Sequence, residues 1–369
     1  MTTDLTTRLL DLACAIQQIP APTFAEAQRA AFVRDQFSAL GLANVEIDDL
    51  HNVFARRPGL GRAAPVLITA HTDTVFPAET PLTLVREAER ISGPSIGDNS
   101  LGVAGLCGVL WALGDEPLPG DLYLAANVGE EGLGDLRGMR RVMDRLGGAV
   151  QATIVLEGMA LGYIYHSAIG VRRLRLTAET EGGHSWLHFG RASAIHALVR
   201  LGAQIADLSV PTTPKTTFNI GTLTGGTSIN TIARQASFDL DLRSESPATL
   251  AALVAQVEHL VARANSAEVR VTAAVIGDRP AGSLPREHPL VQAAARALEA
   301  AGLPNYSYET GSTDANVPLS RGLACVCVGL TRGGNSHRPD EYIDTRDVGR
   351  GLDSITRLVR AAYATAPGR

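Results

Sequence analysis

Three stretches of this chain, Pro65–Ala70, Asp121–Val128 and Ala152–Leu156, are near-continuous apolar runs of strand length. They lack polar alternation and so have no face for water. Such runs read as strands of a mostly parallel sheet buried on both sides, which requires helices on both faces. Helical periodicity supplies them at Leu5–Gln18, Ala25–Leu40, Leu101–Ala112 and Leu136–Leu146, with Gly41 as a stop for the second.

Near Ala168 the pattern changes. The segment GVRRLRLTAETEG alternates apolar and polar residues, the mark of a strand with one solvated face. A helix (Ala192–Leu208), strands Thr216–Leu223 and Ala236–Leu242, a second helix (Pro247–Ala264) and a strand (Glu268–Val275) follow. This β-α-β-β-α-β order is the split ferredoxin-like arrangement. After GDRPAGSLP the first rhythm returns, with helix Pro289–Ala301, strand Leu323–Gly329 and helix Thr345–Ala364. The fold class expected is therefore α/β in two domains. A mixed, mostly parallel sheet with helices on both faces occupies 1–167 and 285–369, and an inserted α+β ferredoxin-like domain occupies 168–284. A chain of 369 residues is too long for most single cores, which agrees.

The net charge of −5 leaves no basic footprint, so nucleic acid is not an expected partner. The opening MTTDLTTRLL carries Asp4 and Arg8 and lacks the apolar core of an export signal. The most apolar stretch, Gly102 to Gly114, falls short of the ~20 residues of a membrane helix. It reads as a buried helix, and no membrane partner is expected. Cys14, Cys107, Cys325 and Cys327 show no Cys-x-x-Cys spacing. They read as small buried side chains in a reducing, cytoplasmic setting.

In open α/β sheets the chemistry gathers beyond the carboxyl ends of the strands. Those ends carry His71-Thr72-Asp73, Glu130-Glu131 and Glu157, and the last strand runs into TRGGNSH with His337. Asp98 lies in the glycine-flanked SIGDNS before a helix. Taken singly, each is a solvated loop residue, a turn or a cap. Taken together they are costly, because adjacent carboxylates repel and burying them needs a compensating charge. A shared cation removes the repulsion of every member. The donors are imidazole and carboxylate with no thiolate, which suits Zn²⁺, Co²⁺ or Mn²⁺. Their number allows two ions, and a carboxylate such as Asp98 can bridge a pair ~3.5–4 Å apart. Asp73 is placed to accept a hydrogen bond from the second ring nitrogen of His71.

With these residues the sequence resembles the dinuclear zinc exopeptidases and deacylases, the family of acetylornithine deacetylase, succinyl-diaminopimelate desuccinylase, aminoacylase, glutamate carboxypeptidase and peptidase T. The likeness runs in order through HTDTVFP, GPSIGDNSLG, GEEGLGDLRG, VLEG, GGHS, GGTSINTIA, DLDLR, GSTDAN and NSHRPDEYI. It implies a zinc-exopeptidase-like fold whose inserted block is a lid and dimer contact. It implies two divalent metal ions, Zn²⁺ foremost with Co²⁺ or Mn²⁺ as alternatives. His71 and Glu157 would be terminal ligands of one ion, Glu131 and His337 of the other, and Asp98 the bridge. Asp73 would orient His71. Glu130 would be the general base that activates the metal-bridging water and returns its proton to the leaving amine. His184, in GGHS, matches a lid histidine that stabilises the tetrahedral oxyanion, often across the dimer.

Asn230, Arg243 and Arg279 match positions that hold the substrate's carboxylate or acyl group, work suited to the arginine fork. The plainer reading of Arg243 is a strand-end salt bridge. Gly311, Ser312, Thr313 and Asp314 match a pocket-lining loop and also have helix-capping chemistry. One departure is Ser100, where many relatives carry a lysine two residues after the bridging aspartate.

The expected function is hydrolysis of amide bonds in N-acyl amino acids or small peptides, of deacylase or carboxypeptidase type, in a homodimer formed through the lid. Glu157 supports it, since the resemblance associates glutamate there with acylases and carboxypeptidases. The alternative is an aminopeptidase of di- or tripeptides resembling peptidase T, which needs an acidic group for the substrate's amine. A third reading is a non-catalytic binder on the same fold, against which Glu130 and all five ligand candidates stand intact.

Overall fold

The structure is a computed structural model and describes residues 3–365. Two compact units emerge, one from residues up to Ala168 and from Ser283 onward, the other Ile169–Gly282.

The first unit is built on a nine-stranded mixed sheet. All six residues of Val66–His71 are buried, as a strand covered on both faces requires. Leu122–Asn127 and Ala152–Glu157 flank it in parallel, and Cys325–Gly329 continues the parallel run. Val53–Arg57 and Ala43–Ile47 extend one side antiparallel. On the other, Tyr163–Ala168 runs antiparallel to Cys325–Gly329 and parallel to Ser307–Gly311.

Helix Leu101–Leu113 is buried along almost its whole length. It packs on strands Val66–His71 and Ala152–Glu157 and on helices Thr3–Gln17 and Val348–Ala362. The apolar stretch is longer than the sequence suggested, because the turn Ile96–Ser100 leads straight into the helix. Ile96–Leu113 is thus long and apolar enough to cross a membrane by length and composition, and 83% of it is buried inside the protein. It serves as a core helix.

The elements expected from apolar pattern are found with ends shifted by up to a few residues. Strands Ala43–Ile47, Val53–Arg57, Tyr163–Ala168 and Ser307–Gly311 were not among them. Three of these are only half-covered and mix polar with apolar residues. A small sheet pairing Tyr342–Asp344 with Arg90–Ser92 and Gly333–Gly334 also lacked a signal, since strands this short carry no periodicity.

The second unit is a four-stranded antiparallel sheet in the order Thr216–Gly225, Gln235–Ser244, Gly170–Glu179, Arg270–Arg279. With helices Ala194–Ala206 and Pro247–Ala264 it completes the ferredoxin-like order. Gln235–Ser244 alternates between buried and less buried residues at every step. Its inner face (Ala236, Phe238, Leu240, Leu242) joins Leu174, Leu176, Leu198 and Val257 in a separate core.

In the first unit, Gly351 lets helix Val348–Ala362 lie directly on the end of strand Cys325–Gly329. A Cβ there would run into the carbonyl oxygen of Leu330. Gly351→Ala is expected to destabilise the protein by about 1–3 kcal/mol, the usual cost of overpacking against backbone, despite alanine's better helix propensity. Urea denaturation measures it; an unchanged midpoint would contradict this packing.

Candidate metal centre

His71 closes strand Val66–His71, and Glu157 closes its neighbour Ala152–Glu157. Asn127, in register with His71, closes Leu122–Asn127. The chain then turns through Gly129 at φ 67° to place Glu130 and Glu131. Asp98 comes from the turn before helix Leu101–Leu113. His337 sits on the loop after Gly333–Gly334, itself left-handed at φ 65°.

These groups converge on Asp98. Its Oδ1 lies 3.2 Å from His71 Nε2 and its Oδ2 lies 3.2 Å from His337 Nε2. Glu157 Oε2 is 3.5 Å from the same His71 nitrogen, and Glu131 Oε1 is 3.3 Å from the same His337 nitrogen. Two half-sites, each one imidazole and one carboxylate, thus share a third carboxylate. Glu130 offers an oxygen near His71 and Glu131 as well. Bonds of ~2.0–2.1 Å to a tetrahedral ion impose ligand separations of about 3.3 Å. The donor set therefore fits a divalent cation in each half-site.

The electrostatics show the same demand for positive charge. Burial lowers the basicity of His71, but the charge on Glu157 and bonds to Asp73, Asp98 and Glu157 outweigh it and raise the imidazole well above its ordinary value. Bonds to Asp98 and Glu131 raise His337 to about 10. Burial pushes Asp98 up, yet the two imidazoles win and hold it well below the usual carboxylate range. Glu157 goes the other way, pushed up by burial to about 7 against the pull of His71.

Three further side chains fasten the segments that carry these candidate ligands together. The Asp73 carboxylate accepts the backbone N–H groups of Glu130 and Glu131, both at 2.9 Å, and the Thr23 hydroxyl at 2.8 Å. His71 Nδ1 meets Asp73 mainly through its main-chain carbonyl, at 3.1 Å, with the carboxylate at 3.5 Å. Asp73 thus holds the glutamate turn more directly than it holds the imidazole. Asn99 brackets Glu157, donating to the Leu156 carbonyl at 2.8 Å and accepting from the Gly158 amide at 2.9 Å. The buried Glu341 accepts the amides of Gly97 and Asp98 at 2.8 and 2.9 Å. Beneath them, the guanidinium of Arg29 donates to the carbonyls of Ile19 and Thr72.

Sequence reasoning did not single out Asn99, Glu341 or Arg29. Arg29 had a signal, since it lies on the buried stripe of helix Ala27–Ala39 with Ala30, Val33 and Phe37. Asn99 and Glu341 had none beyond their nearness to Asp98 and His337.

The loop Gly311–Asp314 belongs to the same unit. Gly311 packs against the ring of Tyr165, where a Cβ would clash. Thr313 has the capping contacts: its amide donates to Asn316 Oδ1 and its hydroxyl accepts from the Ala315 amide. Ser312 lies between them. Asp314 is buried and accepts from Asn127 Nδ2 at 2.7 Å.

His184, Asn230, Arg243 and Arg279 lie in the second unit. His184 pairs with Thr231 in a short ladder, and the Ser185 amide donates to the Asn230 carbonyl, so His184 and Asn230 are neighbours. His184 Nδ1 accepts from the Trp186 amide at 3.2 Å. That assigns the proton of the neutral ring to Nε2, the nitrogen left to donate to a ligand. Arg243 and Arg279 flank Val171 in one register row, hence on one sheet face. Arg243 forms the salt bridge of its plainer reading, with Asp241 at 2.6 Å.

Comparison with known proteins accords with this geometry. Among solved structures, a tripeptidase from Staphylococcus aureus subsp. aureus mu50 is similar, with a TM-score of 0.82, 20% identity, and 97% of this chain and 99% of that one covered. The aminopeptidase PepT from Bacillus cereus ATCC 10987 follows at 0.79 and 21% identity, covering 97% and 98%. The Bacillus subtilis YXEP protein, described as a dinuclear metal binding peptidase from the M20 family, aligns at 0.72 and 16% identity over 99% and 100%. No curated protein matches the sequence. The model of peptidase family M20/M25/M40 matches residues 67–361, and the chain belongs to that family of hydrolases.

Proposed function

We propose that this member hydrolyses the amide bond of N-acyl amino acids or the terminal residue of short peptides, as a deacylase or carboxypeptidase using two divalent cations, Zn²⁺ foremost. The observation that supports it most is Asp98, with one oxygen on each imidazole. His71 and Glu157 would hold one ion, Glu131 and His337 the other, and Asp98 both. When bound, the ions supply Lewis-acid polarisation of the scissile carbonyl and offset the crowded carboxylates.

Glu130 has no ligand duty in this scheme. Only 6% of its surface is exposed, so its carboxylate is shielded from bulk water. It accepts a proton from the attacking water as the C–O bond forms, then delivers it to the leaving nitrogen as the C–N bond breaks. Asp73 positions it through the paired amide bonds. His184 Nε2 would donate to the developing oxyanion. Arg243, Arg279 and Asn230 would take the substrate's carboxylate or acyl group, and Gly311, Ser312 and Thr313 would line the pocket.

A second reading, an aminopeptidase of di- or tripeptides, draws on the names of the two similar enzymes from S. aureus and B. cereus. Hydrolysis of N-acetyl, N-succinyl and N-benzoyl amino acids beside free-amine di- and tripeptides separates the two. Chelator-sensitive turnover of blocked substrates alone is expected; preference for free-amine peptides would transfer the chain to the second reading. Glu130→Gln is expected to lower kcat on the preferred substrate by ~10²–10⁴-fold with metal content and melting temperature kept. Near-normal turnover in that variant would refute the role of Glu130.

We further propose that Ile169–Gly282 is both lid and dimer contact. After His184 the chain exposes Trp186 (84%), Leu187 (73%) and Phe189 (91%), with Ile229 fully exposed nearby in sequence to Asn230. Large apolar side chains so displayed mark an interaction surface, and a second copy of this chain is the occupant we assign. Light scattering is expected to give a dimer for the wild type and a monomer for the Trp186→Ser, Phe189→Ser double variant. A monomeric wild type at micromolar concentration would overturn the assignment.

A further inference from the structure

Glu341 is a carboxylate with no exposed surface, yet among the described residues no cationic side chain is bonded to it. Its carboxylate partners are backbone amides on two segments far apart in sequence. Oε1 accepts the amides of Gly97 and Asp98, at 2.8 and 2.9 Å. Oε2 faces the amide of His337 at 3.4 Å. Its own carbonyl accepts from the Gly93 amide, which ties the residue just before strand Tyr342–Asp344 to the chain leading into the Asp98 turn.

Burying a carboxylate on backbone amides alone is costly unless the geometry it imposes is needed elsewhere. The need here is specific. Asp98 must present one oxygen to His71 and the other to His337. His71 is secured by a fully buried strand, and Glu157 is bracketed by Asn99. His337 has no such support, being half-exposed on a loop with a left-handed backbone.

We propose that Glu341 is the positioning residue that fixes His337 against Asp98, and that it governs the half-site Asp98–Glu131–His337 while leaving His71–Asp98–Glu157 to Asn99 and the strand. The proposal rests on the two-ion reading. Glu341 touches neither substrate nor ion; it holds the main chain that carries two ligands. Positioning groups of this kind commonly change metal affinity by ~10–100-fold.

The test is calorimetric titration of Zn²⁺ into the full-length metal-free protein, checked by elemental analysis of metal per chain. In Glu341→Gln one oxygen can still accept from Gly97 and Asp98, but an amide NH₂ replaces the acceptor facing His337. The wild type is expected to take two equivalents. Glu341→Gln is expected to bind one as the wild type does and the other ~10–100-fold more weakly. Glu341→Asp, a carboxylate retaining both acceptors, should recover part of the loss, and it serves as the working variant if the glutamine form does not fold. Two equivalents of wild-type affinity in a folded variant would overturn the role of Glu341 and leave the two-ion reading standing. Fewer than two equivalents in the wild type would overturn both. Equal weakening of both equivalents would reduce Glu341 to a general structural part and also overturn the proposal.

Discussion

One carboxylate, Asp98, stands between two imidazoles, and the rest of the first unit is arranged to keep it there. Asp73, Asp98, Glu130, Glu131 and Glu157 are gathered with two histidines in a largely buried space. In a low-dielectric interior such a group of acids repels strongly unless positive charge offsets it. The raised basicity of His71 and His337 and the strengthened acidity of Asp98 both favour protons on the imidazoles over protons on the carboxylate, in keeping with that demand. Divalent cations meet it better, and they bring the chemistry that an amide hydrolase needs.

Bringing the candidate ligands at positions 71, 131 and 157 to one place is the task of the parallel sheet, and the turns at 98 and 337 complete the set. Its buried strands stop at one edge, so their last residues stand side by side without further adjustment. What the strands cannot do is aim the turns that follow. That work falls to side chains that bond main chain rather than substrate. Asp73 holds the glutamate turn, Asn99 brackets Glu157, and Glu341 takes the turn of Asp98. Each ties two segments that carry candidate ligands, so the centre is supported as a closed set rather than as separate loops.

This division explains what could be read from sequence. The sheet was legible because burial on both faces leaves an unbroken apolar run, as in Val66–His71, and the ferredoxin-like unit because one-sided burial leaves alternation, as in Gln235–Ser244. The strand-end histidines and acids were legible because charge there contradicts the apolar run before it. Ser307–Gly311 was not, since a half-covered strand of mixed residues resembles a loop. Glu341 was not, since its partners are backbone amides, and an amide leaves no trace in residue type. Family resemblance supplied the proposed roles that spacing alone left open, such as which glutamate would ligate and which would act as base.

The central claim is that Asp98 joins two ions in one centre. Electron paramagnetic resonance of the protein loaded with two equivalents of Mn²⁺ tests it most directly. Ions ~3.5–4 Å apart across a shared carboxylate should give a broad, exchange-coupled spectrum that gives way to isolated-ion signals in Asp98→Ala. A wild-type spectrum of two independent Mn²⁺ ions, with the resolved hyperfine pattern of each, would contradict the account.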